Sequence, residues 1–187
     1  MSGRRITAAI AGGLAAAALA APAALAEERT CRGTIGATTV DNLRVPDGAT
    51  CTLRGTLVQG TVKVERAATL HAYHVRVIGN VQAENHRSVN VSDGSRVGGS
   101  VQIDQGGGAT VIDSFITHDI QYDQNRSGLT ASRNRVGGSI QVFQNTGGVT
   151  IASNRVNGNL QCKENRPAPV GGGNIVQGNK EDQCARL

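Results

Sequence analysis

Apolar residues fall along this chain in short alternating runs that return every 19 or 20 residues. The repeat is plain once the chain is aligned on Gly60, Gly79, Gly99, His118, Gly138, Gly158 and Gly178. The phrases starting at the first six of these read GTVKV, GNVQA, GSVQI, HDIQY, GSIQV and GNLQC. Two residues before each anchor stand Val58, Val77, Val97, Ile116, Val136, Val156 and Val176; two after it stand Val62, Val81, Val101, Ile120, Ile140 and Leu160. Four after it stand Val64, Ala83, Ile103, Tyr122, Val142 and Cys162, and a further short strand such as Val149-Thr150-Ile151 precedes each unit. Period-two alternation in β-branched residues predicts strands. A unit this short cannot close a core of its own and must stack on its neighbours. The expected fold is all-β: a parallel β-helix (β-solenoid) of about seven coils of 19–20 residues. The usual handedness of parallel crossovers makes it right-handed. A β-sandwich also spaces its strands regularly, but does not demand the same residue class at the same phase in every unit. The glycines are expected at corners, where positive φ is readily reached.

The ends of the pattern read differently. In the last unit the inward positions become Lys180 and Asp182, the polar outer face that stops solenoids from joining end to end, so a monomer is expected. Cys31 and Cys51 are one unit apart, and Gln161-Cys162 recurs as Gln183-Cys184. Neighbouring strands lie ~4.8 Å apart, inside the Cα separation of roughly 4.4–6.8 Å that a disulfide needs. The predicted pairs are therefore Cys31–Cys51 and Cys162–Cys184, one at each end. Before the repeat, Arg4 and Arg5, an alanine-rich apolar run from Ile6, and Ala24-Leu25-Ala26 ahead of Glu27 predict a secretory signal peptide over 1–26. Gly12, Gly13 and Pro22 interrupt the run, which argues against a membrane anchor. The expectation is a secreted, extracellular chain, free of the membrane once cleaved, with one β-helix domain over 27–187.

Composition adds a constraint on the core. With no Trp, two Phe and two Tyr, the interior must be built from small aliphatics, which suits a stack of like layers. Two of the 19 basic residues, Arg4 and Arg5, lie in the leader, and the balance over 14 acidic residues is too slight to point to nucleic acid. The phrases VPDGATCTL, GNVQAEN, NLQCKENRPAP and GGGNIVQGNKEDQC resemble a group of small secreted bacterial β-helix proteins of uncharacterised function, over nearly all of 27–187. The resemblance implies the fold and export and supplies no activity. A looser likeness is to the bactofilins, cytoskeletal β-helices that polymerise through their ends; the export signal, the paired cysteines and the polar last coil depart from that pattern.

If even offsets from the anchor point inward, odd offsets point outward, and the outside is striped. Arg76, Arg96, Arg135 and Arg155 share one offset, with Phe115 interrupting them. Gln82, Gln102, Gln121, Gln141 and Gln161 share another, and Glu65, Glu84, Asp104 and Asp123 a third. A glutamine stripe suits a side-chain amide ladder. The asparagines Asn125, Asn145, Asn165, Asn134, Asn154 and Asn174 are expected to satisfy turn backbone. Stacked arginines repel, so they need either paired carboxylates or an anionic partner such as a cell-wall polymer or polysaccharide lying along the axis, which guanidinium forks would suit. The Arg and Gln stripes are the candidate binding residues. Carboxylates one strand apart could share Ca²⁺, making Glu84, Asp104 and Asp123 the candidate metal ligands, or act as the acid and base of a glycosidase. The NTD, GHG and RIK signatures of polygalacturonase-type enzymes are absent, and His71, His74, His86 and His118 match no nucleophile or metal spacing. No cofactor is implied. The reading is a non-catalytic structural or binding module; the alternative is a small polysaccharide-degrading lyase or glycoside hydrolase.

Overall fold

A computed structural model describes residues 27–187; the predicted signal peptide lies outside the described residues. Every strand belongs to one of three parallel sheets that wind round a common axis. The first sheet has nine strands, from Glu28–Thr30 to Lys180–Asp182, and contains the strands that follow each anchor. The second has eight, from Gly33–Ile35 to Val170–Gly172, and the third eight two-residue strands, from Thr39–Val40 to Ile175–Val176. Each strand pairs in parallel with its equivalent one coil on, as Val81 with Val101 and Val101 with Ile120. This is the expected β-solenoid, but of about eight coils rather than seven. The missed first coil pairs Val40 with Val58 and Leu43 with Val62. Its corner between those strands is one residue shorter than the corner at Gly60, so it falls out of phase with the glycine anchor.

The even offsets do point inward: Val58, Val77, Val97, Ile116, Val136 and Val156, and Val62 through Leu160, are all at most 2% exposed. Tyr122, the largest core side chain, is fully buried and donates its hydroxyl hydrogen bond to the Thr130 carbonyl (2.9 Å). The corners differ from expectation. The anchor glycines do not have positive φ. They are needed because coils approach closely there: a Cβ on Gly79 would stand 2.7 Å from the Gly60 carbonyl oxygen. The left-handed conformations fall instead at the other two corners, mostly on non-glycine residues. Gln105, Gln124, Gln144 and Glu164 have φ of 52–59° at one; His74, Asp93, Asp113, Arg133 and Ser153 have 50–60° at the other. Except at Asp93, which Gly94 follows, the next residue is buried, and there Asn125, Asn145, Asn165, Asn134 and Asn154 sit; Asn174 follows Gly173, itself at positive φ.

Asn125, Asn145 and Asn165, and separately Asn134, Asn154 and Asn174, therefore form two ladders inside the solenoid rather than stripes on it, each residue at most 6% exposed. Asn145 accepts from the backbone N–H and the Nδ2 of Asn125 (2.9 and 3.1 Å) and donates its own Nδ2 to the Tyr122 carbonyl and to Asn165 Oδ1 (both 2.9 Å). All its polar capacity is used within the corner, as burial requires. At the glycine corner the side-chain oxygens of Asn42, Thr61, Asn80, Ser100, Asp119, Ser139 and Asn159 each accept from a backbone N–H of the following coil. That accounts for the small polar residue after each anchor.

Both predicted disulfides are formed, with Cα separations of 5.6 Å for Cys31–Cys51 and 5.2 Å for Cys162–Cys184. Neither joins strand neighbours directly opposite each other. Cys51 lies opposite Gly33 and Cys162 opposite Asp182, so each outer cysteine is two residues removed from the register partner. The bridges thus tie an end segment inward over the stack: all four cysteines are at most 2% exposed. At the C-terminal end Leu187 closes the core, and its carbonyl oxygen accepts from Lys180 Nζ (2.8 Å) and from Asn174 Nδ2 (3.4 Å). Lys180, anticipated as a polar cap, holds that closing segment.

Candidate functional site

The glutamine stripe is a continuous ladder on the first sheet. Gln82 donates to Gln102 (2.8 Å), Gln102 to Gln121 (3.1 Å), Gln121 to Gln141 (3.2 Å), Gln141 to Gln161 (3.3 Å), and Gln161 ends the run on Glu181 (2.7 Å). Each interior amide spends one N–H and its carbonyl on its neighbours, so this stripe stabilises the stack and has little left to offer a ligand. Beside it, Glu84, Asp104 and Asp123 lie in register on consecutive strands, followed by Phe143. Burial, followed by repulsion from Asp123 and Glu84, pushes the Asp104 carboxyl above its ordinary range, and burial pushes Asp123 the same way. Among the described residues no group of three or more His, Cys, Asp or Glu side chains is placed to hold a metal ion. The histidines are dispersed: His74 and His118 each bond a single backbone carbonyl through Nδ1, and His86 is buried.

The arginine stripe lies on the third sheet and behaves differently. Arg76, Arg96, Phe115, Arg135 and Arg155 occupy consecutive strands in register, all exposed. The ion pairs among the described residues are Arg44 with Glu28 and Glu65, Arg66 with Asp47, and Arg133 with Asp113. None involves the four stripe arginines, so carboxylate pairing does not offset their repulsion. Phe115 does part of that work: the guanidinium carbons of Arg96 and Arg135 stand 4.8 and 5.8 Å from its ring centroid. A cation over an aromatic face is attracted to it, so the ring both spaces and orients the two central arginines.

No family model, curated protein or solved structure matches the chain. Its function must therefore be read from its own surfaces.

Sequence reasoning found the arginines but not what stands beside them. A second outward column, one residue before the anchors, runs Ile78, Gly98, Thr117, Gly137 and Asn157, and with the arginines it walls a shallow groove along the axis. Of the four exposed large apolar residues among those described, Ile78, Phe115 and Ile175 lie on this face and Val170 does not. The signal was present in the odd offset next to the anchor. The face thus combines guanidinium groups outside the ion pairs of the described residues with exposed apolar side chains. Among the described residues no helix is long and apolar enough to cross a membrane.

Proposed function

We propose that this is a secreted, extracellular, non-catalytic β-solenoid that acts as a binding module, and that the groove on its third sheet contacts an anionic cell-wall or polysaccharide partner. The observation that carries the reading is the column of Arg76, Arg96, Arg135 and Arg155, exposed and without a carboxylate within 4.0 Å. A column of like charges is costly in the free protein and is relieved by a bound polyanion. Two disulfides fit an oxidising destination. The test is retention of the protein on insoluble cell-wall fractions, with and without the four arginines changed to glutamine. Retention lost both in the variant and at high salt supports the reading; absent retention, or retention indifferent to both changes, sinks it.

A second reading, a glycoside hydrolase or lyase, has one observation in its favour. Asp104 holds its proton more tightly than an ordinary carboxyl and lies beside Glu84 and Asp123, the pairing of acid and base that glycoside cleavage needs. Release of reducing ends from polyuronates by the protein, abolished in Asp104→Asn, would establish it over the first.

A further inference from the structure

Two hollows of like construction lie along the groove. One sits over Gly98, between the side chains of Arg76 and Arg96 and bounded by Ile78; the other sits over Gly137, beside Arg135 and Arg155 and bounded by Asn157. Phe115 and Thr117 stand between the hollows and line both, as does Arg96. The hollows are built into the coil: a Cβ on Gly98 would collide with the Ile78 carbonyl oxygen, and one on Gly137 with the Thr117 carbonyl oxygen. Backbone approach therefore enforces glycine at both positions, and each hollow has bare backbone beside its arginine side chains. Gly98 and Gly137 are two coils apart, which at the strand spacing sets the hollows ~9.6 Å from one another.

That period distinguishes among polyanions. A polymer charged at every short step, such as polyphosphate, would bring an anion against Phe115, a rung with no donor of its own, whose neighbours Arg96 and Arg135 are already drawn toward its ring. A polymer with charge at alternate units would put an anion in each hollow and an uncharged unit over the ring. Ile78, 47% exposed, and the part of Phe115 left open beside the two guanidinium groups give the C–H faces of pyranose rings an apolar surface to lie on. Two rungs is also the order of length of an extended disaccharide. We infer that the groove holds a linear acidic polysaccharide with one carboxylate or sulfate per disaccharide, laid along the solenoid axis, with successive acidic groups in the two hollows. The inference rests on the binding-module reading above and adds the spacing and the polymer class.

The experiment is calorimetric titration of the purified protein with hyaluronan disaccharide and tetrasaccharide, with oligogalacturonate of matched length, and with inorganic polyphosphate. The tetrasaccharide should bind at least about tenfold more tightly than the disaccharide, because it reaches both hollows. Arg76→Gln/Arg96→Gln and Arg135→Gln/Arg155→Gln should each remove that advantage, and all four substitutions together should abolish binding. Equal affinity for the two hyaluronan fragments, or oligogalacturonate or polyphosphate binding as tightly as hyaluronan, overturns the spacing while leaving an anion-binding face in place if the four-fold variant still loses it. No binding by any probe, or binding unchanged in the four-fold variant, overturns the underlying reading as well. The substituted residues are exposed, and an unchanged far-ultraviolet circular dichroism spectrum confirms that each variant is folded.

Discussion

His86 occupies the inward position that asparagine fills further along the same corner, and it fills it badly. Its Nε2 lies 3.3 Å from the Gly108 carbonyl, its Nδ1 has no partner, and it is 3% exposed. Burial holds its pKa below the ordinary histidine value, against the raising effect of the Gly108 contact. The unfolded chain therefore binds a proton more readily than the folded one. The stability this group contributes is fully present above the unfolded histidine pKa of about 6.5 and is lost as pH falls through that value toward the lower folded one. Asp104 and Asp123, whose carboxyls are pushed up, act in the opposite sense at lower pH, so the histidine must be isolated by comparison. Gly106, in the next coil, lacks room for a side chain because the His86 ring stands where its Cβ would be. Gly106→Asn alone should therefore destabilise, whereas His86→Asn/Gly106→Asn should extend the ladder of Asn125, Asn145 and Asn165 by two coils. The double variant is expected to melt at or above the wild-type temperature at pH 7.5 and to lose less stability between pH 7 and 5. Equal pH dependence in the two proteins would show that His86 is not the responsive group.

At the scale of the element, buried and exposed ladders share one geometry and should differ in worth. Asn145→Ala removes the acceptor for the backbone and side-chain donors of Asn125 and the donor to the Tyr122 carbonyl, leaving several buried groups unpaired at ~1–3 kcal/mol each. Gln141→Ala breaks only a half-exposed amide ladder, at a cost below ~1 kcal/mol, since water replaces the lost partners. Urea denaturation should show a loss of at least about 3 kcal/mol for the first and little for the second; similar midpoints would mean the asparagines are not the structural rungs. The same contrast explains what was legible beforehand. Phase relative to the glycine predicted the aliphatic rows, the glutamine ladder and the arginine column, because along an unbroken strand inside and outside alternate strictly. That the asparagines satisfy corner backbone was legible from residue type; that Asn125 and Asn145, at an odd offset, face inward was not, because Gln124 and Gln144 adopt left-handed conformations just before them, and a single such residue resets which way the chain faces. The first coil was missed for a related reason, its shortened corner. The groove beside the arginines was missed because Gly98 and Gly137 read as corner residues, although they also line the outer surface there.

For the whole molecule, contact is almost entirely between adjacent coils, and stability then behaves as a sum of neighbour terms with the ends as the weak points. Interior coils such as the one bearing Tyr122 are held from both sides; the last is held on one side only, by Cys162–Cys184 and by the segment ending at Leu187. A bridge closing a loop of about 20 residues contributes ~3 kcal/mol. Cys162→Ser/Cys184→Ser should therefore release residues 183–187, uncover the end of the core and fray the final coil without unwinding the middle. Hydrogen exchange should accelerate first at Leu160–Lys163 and Ile175–Val176 and remain slow at Ile120–Asp123 and Ile140–Phe143, with the unfolding temperature lowered by roughly 5–10 °C. Losing both bridges should add the two effects, since the ends are separated by the length of the stack and share no partner. Uniform acceleration along the chain would instead mean that the coils unfold as one unit, and that the end bridges stabilise the whole molecule rather than the coils they close.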